Sequence, residues 1–293
     1  MGPRVALTVA QHDGTLHDDG PPLLAAFGRL GIDIDVVPWG PGPDWDSYDG
    51  VLIRGTWDYV LDRGRFLAWA ASVPRLANPV DVLRWNTDKE YLRDFEAGGI
   101  PTVPTIWIAF GEAVPAIDWD DFVVKPSISA GARLSARYRR GDDIGAHVAT
   151  IHDSGSVAMI QPYLASVDTT GETGTYVFGG EVSHAIRKGG ILTTGRPATE
   201  NLDHGSHLLV GPKAVDPDLA AFALRVLATS PRVLYARVDT VPGPDGGPVL
   251  MELEITEPYL FLEHASPASA DLFASAVADW LRGGDTFWCT YGQ

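Results

Sequence analysis

Two stretches near the C-terminal end put charged residues inside strands that must also be buried. In residues 233–241 and 249–255, apolar positions alternate with Arg237 and Asp239 and with Glu252 and Glu254. The strand period of two sends Glu252 and Glu254 to one face, and the Pro- and Gly-rich turn at 242–248 returns them beside Asp239. Carboxylates gathered in this way repel one another. Interleaved with Leu250, Met251, Leu253 and Ile255, they are costly unless cations neutralise them. A divalent ion held by hard oxygen ligands and bridging nucleotide phosphates meets that need; magnesium is the expectation, with manganese able to replace it. The competing reading is a solvated polar face on an antiparallel sheet, a common source of such alternation.

A second charged strand lies in the middle of the chain. Lys125 stands in the apolar run 122–126 and is followed at once by small residues, among them Ser129, Ala130, Gly131 and Ala132. Lys125 would contribute a point charge and the loop amides a nest for phosphate oxygens, although such a loop can equally be a plain turn. No GxxxxGK[ST] stretch occurs, so the phosphate loop of that fold is absent.

The first part of the chain reads as strand 5–10, helix 22–30, strand 32–37, strand 51–54, helix 66–72 and an edge strand 76–78 closed by Pro79. Residues 1–85 are therefore expected to form a small open α/β lobe with a mainly parallel sheet. Arg54, Trp57 and Asp58 follow a strand's carboxyl end, where such sheets present ligand-binding loops, and Arg54 is placed to clamp a substrate carboxylate. His12 and Asp13 follow the first strand in the same way. Trp57 serves either recognition or packing, and Arg237, on the strand face of Asp239, is a second candidate for substrate binding.

The style then changes. A helix capped by Asn86 or Thr87 runs to Ala97 and stops at Gly98-Gly99; an extended segment 101–108, a strand 134–138, a helix 144–152 and a strand 159–163 follow. Gly179-Gly180 joins 172–178 to 181–188 as a hairpin. Residues 189–205 lack periodicity and suit a mobile active-site loop, and helices are expected over 219–228 and 270–281. The expected organisation is α/β and α+β in several lobes: 1–85 on the substrate side, 86–160 carrying Lys125, and 161–293 carrying the acidic strands.

Exclusions sharpen this. With 22 Lys and Arg against 38 Asp and Glu, a broad nucleic-acid surface is disfavoured and phosphates must meet locally placed cations. No apolar run is long enough to span a membrane, and the first ten residues lack the features of a secretory signal, which makes the cytoplasm the default. The lone Cys289 cannot form an internal disulfide. A small molecule is the expected partner, and a homodimer is left open.

Lys89, the Lys125-Pro126 strand with its small-residue loop, the 159–163 strand and the closing Asp239, Glu252 and Glu254 occur in an order that resembles the ATP-grasp ligases. Within that superfamily the segments 56–59, 78–79, 85–89 and 252–258 are similar to the O-ureido-serine cyclo-ligase group of cycloserine biosynthesis. The resemblance implies a Rossmann-like first lobe and two α+β lobes clasping ATP. It implies that Lys89 and Lys125 hold the phosphates under the loop 129–132, that Gln161, Pro162, Tyr163 and Leu164 receive the adenine edge, and that Asp168 or Glu172 meets the ribose. Arg187, seconded by Lys188, would neutralise the transferred phosphoryl group. Glu254 departs from the pattern, since many members carry an amide there. The implied reaction activates an amino-acid carboxylate as an acyl phosphate, which a ureido nitrogen of the same molecule displaces; an intermolecular ligase and a non-catalytic nucleotide-binding module are the alternatives.

Overall fold

The computed structural model describes residues 2–190 and 210–283, so Cys289 and all of the 189–205 loop beyond Gly190 lie outside the described residues. The chain opens with β1 (Arg4–Val9), α1 (Gly20–Arg29), β2 (Asp33–Pro38) and β3 (Gly50–Gly55), and the strands form a parallel sheet in the order β2-β1-β3. Every residue of β3 is buried, as expected when a parallel sheet is covered on both faces. Helix α2 (Arg63–Ser72), capped where the Asp62 side chain accepts from the Arg65 amide, covers one face through Phe66 and Trp69.

The edge strand expected at 76–78 reduces to one bridge between Val51 and Leu76. The single helix expected from residue 86 is instead two, α3 (Val80–Asn86) and α4 (Tyr91–Ala97). The break has a physical cause: Asn86 ends α3 by turning its amide onto the Leu253 carbonyl at 2.6 Å, and the intervening turn sends the Lys89 ammonium to the Ser129 carbonyl at 2.8 Å.

The middle sheet uses β4 (Ile106–Ile108), β5 (Asp121–Pro126), β6 (Ala136–Arg139) and β7 (Ala158–Pro162) in the antiparallel order β4-β7-β5-β6, with α5 (Gly145–Asp153) on it. After the short α6 (Ser166–Thr169) come β8 (Glu172–Phe178), β9 (Glu181–Lys188), β10 (Val210–Lys213), α7 (Pro217–Thr229), β11 (Tyr235–Pro242) and β12 (Pro248–Glu254). These strands make an antiparallel sheet ordered β10-β9-β8-β11-β12. The β8–β9 turn has both glycines at positive φ, +56° and +84°, the twist that a tight hairpin demands.

The closing helix α8 (Pro267–Leu281) packs on α1 of the first lobe, with Phe27 and Phe273 edge to face at 6.2 Å. Among the described residues no helix is long and apolar enough to cross a membrane.

The expected alignment of the acidic strands is present: Arg237 opposes Glu254 and Asp239 opposes Glu252, with a bulge following Asp239. Asn78 staples this pair to the first lobe. Its amide donates to the carbonyls of Tyr235 (3.0 Å) and Ile255 (2.7 Å), and its oxygen accepts from the Leu234 amide at 2.7 Å. Asn is suited to this position because its φ is +58°, a left-handed conformation that most side chains avoid. Replacing Asn78 by Ala orphans three buried backbone groups, so Asn78→Ala should lose about 3 kcal/mol or more of stability, read as a lowered midpoint in denaturant unfolding.

Candidate active site

A cavity of about 290 Å³ lies between the middle and last sheets and is reached by residues of the first lobe. Its charged lining includes Lys89, Glu172 and Glu257 and residues of four strands. Lys125 projects from β5, Lys188 ends β9, Arg237 stands on β11, and Glu252 and Glu254 stand on β12.

The innermost charge is Asp239, at 0% exposure. Arg237 grips it with two hydrogen bonds, Nε to Oδ1 at 2.7 Å and Nη2 to Oδ2 at 2.8 Å, and Lys188 adds a third at 2.8 Å. Burial would push this carboxyl up, but the two cations hold it well below the usual carboxylate range. Arg237 also donates to Glu254, and Lys188 pairs with Glu172. On Lys188, burial and Arg237 oppose the charge, yet its carboxylate neighbours win and raise the ammonium's pKa. Glu254 is pushed up to about 7, by burial first, with Asp239 and Glu252 adding to it against Arg237. Glu252 is held low: burial is outweighed by Lys89, at 3.0 Å, and by Lys125.

The three carboxylates therefore share a face as expected, but as partners of protein cations. Among the described residues no three His, Cys, Asp or Glu side chains form a metal-holding group. Asp239 does not line the cavity, whereas Glu252 and Glu254 do.

On the opposite wall the Lys125 ammonium has no hydrogen-bonded or ion-paired partner among the described residues, and burial, its largest influence, lowers its pKa. Beside it the loop presents Ser129, Ala130, Gly131 and Ala132 to the cavity. Gly131, Ala132 and Leu134 all have positive φ, between +54° and +60°. For the two non-glycine residues that backbone costs on the order of 1 kcal/mol each, tolerable where the surroundings impose it. Gln161, Pro162, Tyr163 and Leu164 line the cavity's apolar end, as expected.

Other expected site residues lie outside the cavity lining. Arg187, on the opposite strand face from Lys188, donates to the carbonyls of Thr169 and Thr170 at the end of α6 and does not reach the cavity; Lys188 does. Asp168 accepts from the Tyr163 hydroxyl and lies outside the lining, whereas Glu172 is within it. Arg54 is 3% exposed: it donates to the Pro258 carbonyl at 2.7 Å, stands 3.7 Å from Asp19 and lies over Tyr235 and Phe273, so it is not placed to clamp a substrate. Asp58 accepts from the Trp39 indole (2.6 Å) and the Gln11 amide (2.8 Å), a structural role. Asp13 pairs with His17 at 2.8 Å, His12 is exposed, and neither lines the cavity. Trp57 does line it, together with Tyr59, Glu257, Tyr259 and Phe261, which sequence reasoning did not assign. The acidic run through Glu257 and the aromatic run through Tyr59 were the available signals.

One glycine makes the Arg237–Asp239 pair possible. A Cβ on Gly174, which faces Asp239 across β8 and β11, would stand 2.9 Å from Oδ1 of Asp239 and 3.0 Å from Cδ of Arg237. Gly174→Ala should force the pair apart and cost about 2 kcal/mol or more, detected as a lower thermal midpoint.

Residues 5–78 match the family model of the N-terminal domain of D-cycloserine synthetase DcsG. The chain is 35% identical over 287 residues to the cycloserine biosynthesis protein DcsG of Streptomyces lavendulae, covering 90% of this chain and 94% of that protein. It superposes on the crystal structure of D-cycloserine synthetase DcsG with a TM-score of 0.83 at 32% identity, over 95% of this chain and 99% of that one. An ATP-grasp RimK domain protein from Sphaerobacter thermophilus shares the fold, with a TM-score of 0.65 at 19% identity over 94% and 99% of the two chains. A cavity walled by cations, small residues and carboxylates, in a chain alike to one relative almost end to end, makes this protein a member of the D-cycloserine synthetase family, with the fold seen in ATP-grasp proteins.

Proposed function

We propose that this chain binds ATP with a divalent cation between its middle and last sheets, phosphorylates the carboxylate of an O-ureido-serine-type substrate, and closes the ring by attack of the substrate's own ureido nitrogen. ADP and phosphate leave, the ring nitrogen at first keeps its carbamoyl group, and loss of that group to water as carbon dioxide and ammonia gives a product of the D-cycloserine type. The observation that carries this reading is the pairing of Lys125, a cation without a hydrogen-bonded partner among the described residues, with a preformed loop of small residues on the same wall. That wall suits phosphate oxygens, and the opposite wall suits a cation.

The carboxylates Glu252 and Glu254 fit a hard divalent ion in donor chemistry. When bound, such an ion supplies positive charge to the phosphate oxygens. Lys89 pairs with Glu252 and lines the cavity, so it can turn toward phosphate and leave that carboxylate to the ion, while Lys188 lines the cavity from its place beside Glu172 and Asp239. Lys188 and Arg237 then face the transferred group and the carboxylate oxygen that receives it, where positive charge lowers the barrier most. A carboxylate is a poor acyl donor at neutral pH. Phosphorylation makes one of its oxygens a leaving group, and holding the ureido nitrogen in the same molecule removes the entropic cost of a second substrate.

Two outcomes follow. With an O-ureido-serine alone, ADP should appear without any added amine, and the product should be the cyclised compound by mass; strict dependence on an amine would overturn cyclisation in favour of an intermolecular ligase. Lys188→Ala should lower kcat by about a hundredfold or more, while Arg187→Ala, which leaves the cavity lining intact, should lower it by less than about tenfold. Equal losses in the two variants would contradict the placement of the phosphoryl group.

A further inference from the structure

The carboxylates around the cavity are not equivalent. Glu172 is paired with Lys188, Asp239 with Arg237 and Lys188, Glu252 with Lys89, and Glu254 with Arg237. Glu257 also lines the cavity, yet it forms no hydrogen bond or ion pair with any described residue. It stands just beyond β12, beside Thr256, which is tied down by a 3.1 Å hydrogen bond to Asn86. Pro258 on its other side is held where its carbonyl accepts from Arg54. The backbone carrying Glu257 is therefore fixed from both sides while its carboxylate is left uncommitted.

Its surroundings describe the missing partner. Burial, then Glu254, weigh against its charge, and Arg237 offsets them only in part. Tyr59 stands close enough that, after burial, Glu257 is the strongest influence on its hydroxyl. Tyr59, Tyr259 and Trp57 add aromatic walls, which attract cations as well as apolar groups. A small cation bound here would relieve the excess of negative charge, and Arg237, lining the same cavity, offers positive charge to an adjoining carboxylate. An α-amino acid carries an ammonium on the carbon next to its carboxylate.

We infer that Glu257 is the specificity-determining residue that recognises the substrate's α-ammonium group, in the pocket formed with Tyr59 and Tyr259. This rests on the proposed cyclo-ligase reading. The α-ammonium is not a reacting group, so Glu257 selects and orients the substrate and takes no part in bond making.

The test compares ADP release with O-ureido-serine and with its des-amino analogue, in which hydrogen replaces the ammonium, for the wild-type protein, Glu257→Gln and Glu257→Asp. Wild type should prefer the amino-bearing compound by at least about tenfold in kcat/KM. Glu257→Gln should raise its KM by about tenfold or more, bring the two compounds within about threefold of each other, and leave the KM for ATP and the magnesium requirement unchanged. Glu257→Asp, which keeps the charge, should recover part of the preference and serves in its place should Glu257→Gln fold poorly. Preference retained in Glu257→Gln, no preference in wild type, or a changed magnesium requirement would overturn the inference while leaving the cyclo-ligase reading standing. No ADP release by wild type with either compound would overturn both.

Discussion

A fully buried aspartate gripped by an arginine and a lysine organises the catalytic half of this molecule. Asp239 has no access to water, so its charge is tolerable only because Arg237 meets both oxygens and Lys188 one of them. Much of the neighbouring structure follows. Gly174 must lack a side chain, Arg237 must lie where it can also reach Glu254, and Lys188 must end β9 opposite Glu172. Desolvated pairs of this kind gain little net stability over an apolar core, but they are expensive to break, so they fix where the surface charges around them point.

The sequence is most legible where one element decides its own geometry. Alternation alone put Arg237, Asp239, Glu252 and Glu254 on one face, and Gly179-Gly180 declared its hairpin, because period and turn chemistry are local. The long-range partners of Arg54 and Asp58 were not legible, for the opposite reason. They stand where open sheets offer ligand loops, yet each is consumed by a distant partner: Arg54 by Pro258 and Asp19, Asp58 by Trp39 and Gln11. Which of Arg187 and Lys188 faces the cavity depends on strand parity, which needs the exact pairing of β8 and β9. Asn78 and Asn86 stood in segments that resemble the family; Asn78 ties the start of β11 to Ile255 just beyond β12, and Asn86 fastens the end of β12 through Leu253 and Ile255.

The first lobe reaches the site through a backbone segment more than through its own loops. Asp19 accepts from the amides of Leu260 (2.7 Å) and Leu262 (3.0 Å), and Tyr176 and Arg237 both donate to the Tyr259 carbonyl. Residues 258–262 are thus pinned by the first and last lobes together, which explains how Tyr259 and Phe261 come to line a cavity otherwise built from two sheets. Burial leaves the Asp19 carboxyl at about 6 despite Arg54.

The small-residue loop at 129–134 is also tethered from behind. His147 on α5 meets the Leu134 carbonyl at 3.0 Å through one ring nitrogen and the Tyr138 hydroxyl at 3.1 Å through the other, and burial lowers its pKa, favouring the neutral ring. Peeling the loop away by itself would break the first of these contacts and release Ala132 and Leu134 from their left-handed backbone. Rotation of the whole middle sheet, β4 to β7 together with α5, breaks neither and keeps the β5–β7 ladder intact, so the loop opens at less cost carried by its sheet than as the flapping of a hairpin tip.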